Sequence, residues 1–280
     1  MVEYIPREQI LENFREKIKR GEPIIGAGAG TGISAKNEEL GGVDLIIIYN
    51  SGRYRMAGRG SLLGLLPVGD AHQVLLELAK EVLTVVKRTP VLAGLFGGHP
   101  FTDFRKFIRQ LKDMGFSGIQ NFPTMGLIDK DSHFRRNLEE TGMGYKEEIK
   151  VIKMAHEENM LTTPYVFDEE DAKAMAEAGA DIIVAHMGLT AKGTIGAKTT
   201  LTLEQSVEKI KGIMDAAKSV NPNIIFLCHG GPIADFEDWK YIAEHVPGIH
   251  GFYGASTFER IPTERAIQEQ AKRFKTIKLK

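Results

Sequence analysis

Eight apolar runs of strand length recur along this chain, at residues 23–28, 44–50, 90–96, 118–124, 161–167, 181–186, 224–229 and 248–256. Each is rich in β-branched or aromatic side chains. Leu45-Ile46-Ile47-Ile48 is apolar at every position, as a strand covered on both faces must be, and both-face burial is the mark of a parallel sheet. Amphipathic stretches separate the runs. Phe101, Phe104, Ile108, Leu111 and Met114 recur at three- and four-residue steps, and so do Leu203, Val207, Ile210, Met214 and Ala217, which gives each segment one apolar stripe. Gly42, Gly115 and Gly179 stand where a left-handed residue would end a helix before the next strand, and Asp168 and Pro262 stand at helix starts. Eight strand–helix units predict an α/β fold, a (β/α)8 TIM barrel with an extra N-terminal helix around residues 7–20. The expected organisation is one domain over 1–280, with segment 1–21 packed on the barrel. A doubly wound sheet is the structural alternative.

Charge and cysteine content narrow the function classes. Against 37 acidic side chains stand 36 basic ones, a formal net charge of −1, so no basic platform is available for nucleic acid or an anionic membrane surface. Cys228 is the only cysteine, which excludes an internal disulfide framework and a CxxC-type site. The N-terminal segment has scattered charges and no apolar core, unlike a signal peptide. No apolar run approaches the roughly 18 residues of a membrane span. A cytoplasmic, reducing setting is expected.

In a barrel, chemistry sits at the C-terminal ends of the strands. Those ends carry Gly26, Gly28 and Gly30, then Tyr49-Asn50-Ser51-Gly52, Gly97-Gly98-His99, Gln120-Asn121, His186, Cys228-His229-Gly230-Gly231, and Ser256 with Glu259 and Arg260. Glycines 26–32 miss the dinucleotide spacing, and the second run lacks a ribose-binding acid. Gly196-Ala197-Lys198-Thr199 misses the P-loop pattern. His186 and His229 end neighbouring runs, so they could serve as acid and base, as oxyanion donors, or as two metal ligands. Alternation along the strand turns Cys228 outward if His229 faces inward. His99, next to Pro100, fits a capping or turn role equally well. Segment 51–69 carries Arg53, Arg55 and Arg59 among glycines, a mobile loop suited to an anion or simply a solvated one. Segment 125–144 is long enough to cap the barrel or to reach a neighbouring subunit, and a homo-oligomer is expected.

The strings GAGAGTGISAK, IIIYNSGRYRMAGRGSLLGLLPVGDA, QNFPTMGLID, EETGMGY, LTTPYVF, AHMGL, LCHGGPIA and GFYGASTFERIPTE resemble the phosphoenolpyruvate hydrolase-like family, TIM-barrel proteins also described as predicted signal-transduction barrels. The resemblance runs over nearly the whole chain. It implies a place in the phosphoenolpyruvate/pyruvate, isocitrate lyase-like superfamily. Tyr49-Asn50-Ser51-Gly52 looks like the Y-x-S-G segment whose serine and glycine contact substrate carboxylate there. Where those lyases carry metal-holding acids, this chain has Gly94, Phe122-Pro123 and His186. Mg2+ therefore stays an open cofactor, because a hard cation wants carboxylate ligands and the superfamily's acids are not matched.

The resemblance and the strand ends together imply a small anionic carboxylate or phosphate ligand, with hydrolysis or enol–keto conversion of a three-carbon acid such as phosphoenolpyruvate. Ser51, Gly52 and Arg53, with Asn121, would bind substrate. Backbone N–H groups at Gly28, Gly30, Gly230, Gly231 and Ser256 would hold phosphate. His186, His229 and Glu259 would move protons. A ligand-sensing regulatory barrel without turnover is the alternative, and a partner-binding scaffold is a third.

Overall fold

A computed structural model describes residues 2–279. Seven of the apolar runs form single strands. The first four are β1 (Ile24–Gly28), β2 (Leu45–Ile48), β3 (Val91–Gly94) and β4 (Gly118–Gln120). The fifth run splits into β5 (Leu161–Thr162) and β6 (Tyr165–Val166). Pro164 lies in the gap, and a proline has no N–H to give to a ladder. The last three are β7 (Ile182–His186), β8 (Ile225–His229) and β9 (Gly251–Gly254). The hydrogen-bonded order is β5-β4-β3-β2-β1-β9-β8-β7-β6, and every pairing is parallel. Since β5 and β6 are halves of one run, this order is a ring of eight. The (β/α)8 TIM barrel expected from the sequence is the fold observed.

Strand alternation divides the apolar side chains into two layers. Ile24, Leu45, Ile47, Leu92, Leu161, Ile182, Val184, Ile225 and Leu227 face inward and form one cluster. Ile46, Ile48, Val91, Ile119, Ile183, Phe226 and Cys228 face outward, in a second cluster with the surrounding helices. The helix Arg7–Lys19 belongs with the inner layer. Its Ile10, Leu11 and Phe14 join the cluster of strand-start residues, so the helix stops the N-terminal end of the ring. Two ion pairs hold it there, Arg7 to Asp181 at 2.5 Å and Lys17 to Asp44 at 2.6 Å.

Local signals act as their chemistry dictates. Gly42, Gly115 and Gly179 take φ of +84°, +106° and +91° just after helices, and the Asp168 side chain accepts the N–H of Asp171 to cap Glu169–Glu177. Two long segments depart from the loop reading. Segment 51–69 lies mostly in the helix Asn50–Met56 and a short 3-10 turn, Ser61–Leu65. Segment 125–144 contains the helix His133–Glu140. Tertiary hydrogen bonds override weak local propensity in the first case: Asn50 Nδ2 donates to the Gly64 carbonyl and Ser51 Oγ to the Ser61 carbonyl. Phe101, read as the first position of a helical stripe, precedes the helix Phe104–Asp113 and is exposed. Among the described residues, no helix is long and apolar enough to cross a membrane.

The seam at Pro164 needs a repair, and Asn121 supplies it. Its Oδ1 accepts the Tyr165 N–H at 2.7 Å, and its Nδ2 donates to the Tyr165 carbonyl at 3.2 Å. The side-chain amide thus stands in for a peptide unit of the neighbouring strand. Nδ2 also reaches Glu148 Oε2 at 2.7 Å, and that buried carboxylate takes Thr124 Oγ1 and Met125 N–H as well. Replacing Asn121 with Ala leaves the buried Tyr165 N–H without a partner, while the Tyr165 carbonyl keeps the Tyr145 hydroxyl at 2.6 Å. We expect a loss of about 1–3 kcal/mol in stability by urea unfolding, the cost of one orphaned buried group. An unchanged midpoint would show that the seam does not depend on this side chain.

Candidate active site

His186 and His229 end adjacent strands in register. Inward positions alternate along β7 and β8, so both imidazoles enter the mouth of the ring while Cys228 turns out among the helices, where burial pushes its thiol pKa up. The two rings lie 4.7 Å apart between centroids. Tyr165 packs edge-on against His186 at 4.7 Å and tilted against His229 at 5.0 Å, with Phe167 on the other side of His186.

Hydrogen bonds settle which nitrogen carries the proton on each ring. His229 Nδ1 lies 2.6 Å from the Tyr253 carbonyl, which can only accept, so Nδ1 bears hydrogen and Nε2 keeps its lone pair. His186 Nδ1 accepts the Gly188 N–H at 3.0 Å, so the proton of the neutral ring sits on Nε2. Two neighbouring imidazoles are therefore opposite tautomers, one presenting an acceptor and the other a donor. Both stay neutral: burial first, and then the proximity of His229, lowers the His186 pKa far below its usual value. Burial lowers that of His229 to about 4. An anion beside them would raise their proton affinity again.

The third predicted proton-transfer residue, Glu259, stands across the mouth and is tied to the first loop. Gly30 N–H donates to Glu259 Oε1 at 2.5 Å, and Arg55 Nη2 reaches Oε2 at 3.4 Å. A backbone donor expected to hold phosphate thus holds the chain's own carboxylate. Gly30 and Gly52 are glycines because their backbones nearly touch: a Cβ on Gly30 would sit 2.0 Å from the Gly52 carbonyl oxygen. Gly28 lies beside Arg55 and Ala255 in the same corner.

The remaining predicted residues serve neighbouring loops. Ser51 is fully buried, with its hydroxyl on the Ser61 carbonyl. Arg53 turns to the surface and pairs with Glu81 at 2.5 Å. Gly231 N–H donates to the Gly188 carbonyl, and its own carbonyl accepts from Ala191, so Gly230 and Gly231 lock the loops after β7 and β8 together. Both adopt positive φ, and a Cβ on either would meet a carbonyl oxygen of that facing loop at 2.3 Å. Ser256 Oγ accepts from Arg260 Nε at 3.4 Å, and Arg260 in turn holds Glu264 and the Lys192 carbonyl. Asn121 closes the seam. His99 joins a directed chain away from the mouth: Phe96 N–H to His72, His72 to Thr102, Thr102 to His99, and His99 to Asp70.

Arg55, not Arg53, is the arginine that enters the ring. It is 3% exposed, lies over the Tyr49 ring at 5.3 Å, and its Nη1 is 3.5 Å from the Tyr49 hydroxyl. Spacing could have separated the two, since residues two apart in a short helix cannot share a face. Glu38 was invisible for another reason. It sits on the helix Gly32–Leu40, buried with neither carboxylate oxygen partnered. Burial, then the nearby Glu259, raises its pKa to about 8, against the opposing charge of Arg55.

Divalent-metal chemistry finds no seat here. Glu259 is already engaged, Glu38 holds its proton near neutral pH, and His186 offers an N–H at its free nitrogen. Among the described residues, no group of three or more His, Cys, Asp or Glu side chains is placed to hold a metal ion. The chain's residues do not fit Mg2+ held by carboxylates.

Comparison with known proteins agrees with the sequence resemblance. The family model described as phosphoenolpyruvate hydrolase-like matches residues 9–277. The ToMV susceptible protein tm-1(GCR26) of Solanum lycopersicum is 57% identical over 270 residues, covering 96% of this chain and 36% of that protein. The ToMV resistance protein Tm-1(GCR237) of the same plant is 56% identical over 273 residues, covering 98% and 36%. The chain thus spans about a third of the length of these relatives. Solved barrels share the fold at low identity. Phosphonopyruvate hydrolase in complex with oxalate and Mg2+ matches at TM-score 0.58 and 16% identity, over 97% of this chain and 88% of that one. Oxaloacetate acetylhydrolase in complex with oxalate matches at 0.59 and 14%, over 97% and 88%.

Glu38 provides a test of the electrostatics at the mouth. A carboxyl with a raised folded pKa stabilises the fold below its unfolded value and loses that contribution as pH rises toward about 8. Glu38→Gln should therefore gain on the wild type by on the order of 1–3 kcal/mol between pH 5 and pH 8. His229 works in the opposite sense, its contribution vanishing as pH falls from the usual histidine range to about 4. Parallel pH–stability curves for Glu38→Gln and wild type would mean that Glu38 is ionised in the fold.

Proposed function

The chain belongs to the phosphoenolpyruvate hydrolase-like family, and from that membership we propose a small-molecule enzyme acting on a phosphorylated or carboxylated three-carbon acid such as phosphoenolpyruvate. The observation that carries the reading is the pair of opposite tautomers at His186 and His229. Hydrolysis of an enol phosphate needs a base for the attacking water and a donor to the oxygen that leaves phosphorus. His229 Nε2 accepts the water proton, and His186 Nε2–H donates to the bridging oxygen. The bridging oxygen leaves phosphorus as an enolate hydrogen-bonded by His186, phosphate is released, and the proton taken up by His229 passes to the terminal carbon to give pyruvate. Arg55 and Glu259, beside the pair, set the charge of the mouth. No step requires a metal. Oxalate in complex with two structural neighbours is in keeping with a small carboxylate ligand. A cytoplasmic setting suits the single buried thiol.

A homo-oligomer is part of this reading. The helix Arg260–Phe274 follows the last strand, yet Ile267 and Phe274 on it, and Ile277 just beyond, are 64–71% exposed. An apolar row of this kind on a last helix suits burial against a second copy of the chain.

Purified protein given phosphoenolpyruvate should release pyruvate and phosphate in equal amounts, unaffected by EDTA. His229→Ala should lower kcat by at least about 100-fold while leaving the circular dichroism spectrum unchanged. Equal turnover by that variant would remove the histidine from the mechanism. Binding of the acid without any product, followed by NMR, would favour the sensing alternative. Light scattering should report a dimer or larger assembly, reduced to monomer by Ile267→Asp with Phe274→Asp. A monomeric wild type would end the oligomer reading.

A further inference from the structure

Below the two histidines the ring is lined by polar groups without a close hydrogen-bond partner, held at most loosely by one another, Tyr165 beside Tyr49 and Tyr253 beside Thr163. Interior layers of such barrels are normally filled by branched apolar side chains. Here Tyr49, Gln120, Thr163, Tyr165 and Tyr253 occupy inward positions, and Arg55 reaches in from the helix Asn50–Met56. All six are 3% exposed or less. Both amide atoms of Gln120, Thr163 Oγ1, the hydroxyls of Tyr165 and Tyr253 and Arg55 Nε are buried without a hydrogen-bond partner. Their parity follows from the strands. Gln120 is two residues before Phe122, and Thr163 lies midway between Leu161 and Tyr165, all three of them inner-layer residues. The rings of Tyr165 and Tyr253 are 6.5 Å apart, and Tyr165 packs directly under His229.

An unpartnered buried polar atom costs about 1–3 kcal/mol, so six on the inner side of one ring are not the residue of ordinary core packing. Arg55 sharpens the case. Its two contacts, Glu259 and the Tyr49 hydroxyl, both lie near the limit of hydrogen bonding, at 3.4 and 3.5 Å, and a buried cation so weakly held calls for an anion. We infer that Arg55, Gln120, Thr163, Tyr165 and Tyr253 form a seat inside the ring for the carboxylate of a two- or three-carbon hydroxy, keto or enol acid. Two phenolic O–H groups, an amide NH2 and a guanidinium match the four lone-pair sites of one carboxylate, and the threonine O–H is left to donate to the neighbouring hydroxy, keto or enol oxygen. The Gln120 carbonyl is left to accept from an enol or hydroxyl O–H. The carboxylate lies deep and the rest of the acid points up at His186 and His229. Ser51 and Arg53, engaged elsewhere, take no part.

This inference rests on the small-acid reading of the mouth, and its test separates the two. Oxalate and pyruvate are titrated by calorimetry into wild type, Tyr165→Phe, Tyr253→Phe and Gln120→Met, and each protein is also melted without ligand. Each variant should bind at least about ten-fold more weakly yet melt no lower than wild type, because the atom removed had no close partner to lose. Wild-type affinity in all three variants would overturn the seat while leaving the mouth reading intact. Lowered melting in the absence of ligand would also overturn it, by marking the polar groups as a structural network. A wild type that binds neither acid would overturn both readings.

Discussion

Closure of the strand ring is the constraint from which the rest follows. Parallel strands of three to five residues have little to hold them individually, and the ring succeeds only if its edges meet. They meet at the fifth run, where Pro164 removes a donor and leaves two fragments of two paired residues each. Asn121 restores the missing pairing with its side-chain amide, and Glu148 orients Asn121. Tyr165, which this repair positions, is also the residue that packs against both histidines. The weakest point of the barrel and the floor of its mouth are therefore one structure.

Electrostatics at the mouth follow from the same geometry. A closed ring excludes water from its axis, so burial displaces the histidines, Tyr165 and Tyr253 there from their ordinary behaviour. The histidines become neutral hydrogen-bonding groups, and Glu38 becomes an acid that keeps its proton. Arg55 cannot neutralise and is left with distant partners. The near-zero formal charge of the whole chain says nothing of this, because surface pairs such as Arg53–Glu81 and Arg109–Glu158 absorb most of the total. One buried guanidinium decides the polarity of the interior.

Several site features were legible from strand position alone. His186 and His229 end neighbouring runs, and alternation placed Cys228 outward. Resemblance to a carboxylate-binding segment points to Ser51, and the arginines of segment 51–69 point to Arg53. In the fold, that segment coils into a short helix whose hydrogen bonds consume Ser51 and whose turn directs Arg53 outward, leaving Arg55 to enter. Of the glycines expected to cradle phosphate, Gly30 and Gly231 spend their N–H groups within the chain, and Gly30, Gly230 and Gly231 allow close approach of loops. Tyr165, Tyr253 and Thr163 read in sequence as ordinary strand residues, and Gln120 only as one of the polar strand ends, since nothing local tells whether a polar group at an inward position finds a partner.

The sequence by itself determined the number of strand–helix units, their order, the helix stops and the end of the barrel where polar residues gather. Those depend on periodicity and on backbone preferences of single residues, which act locally. Only the tertiary structure decided which arginine enters the ring, which nitrogen of each histidine bears the proton, and which buried polar atoms remain unpaired. Such outcomes depend on a partner's distance and direction, and the partner can be as near as Gly188 is to His186 or more than two hundred residues away, as Glu259 is from Arg55.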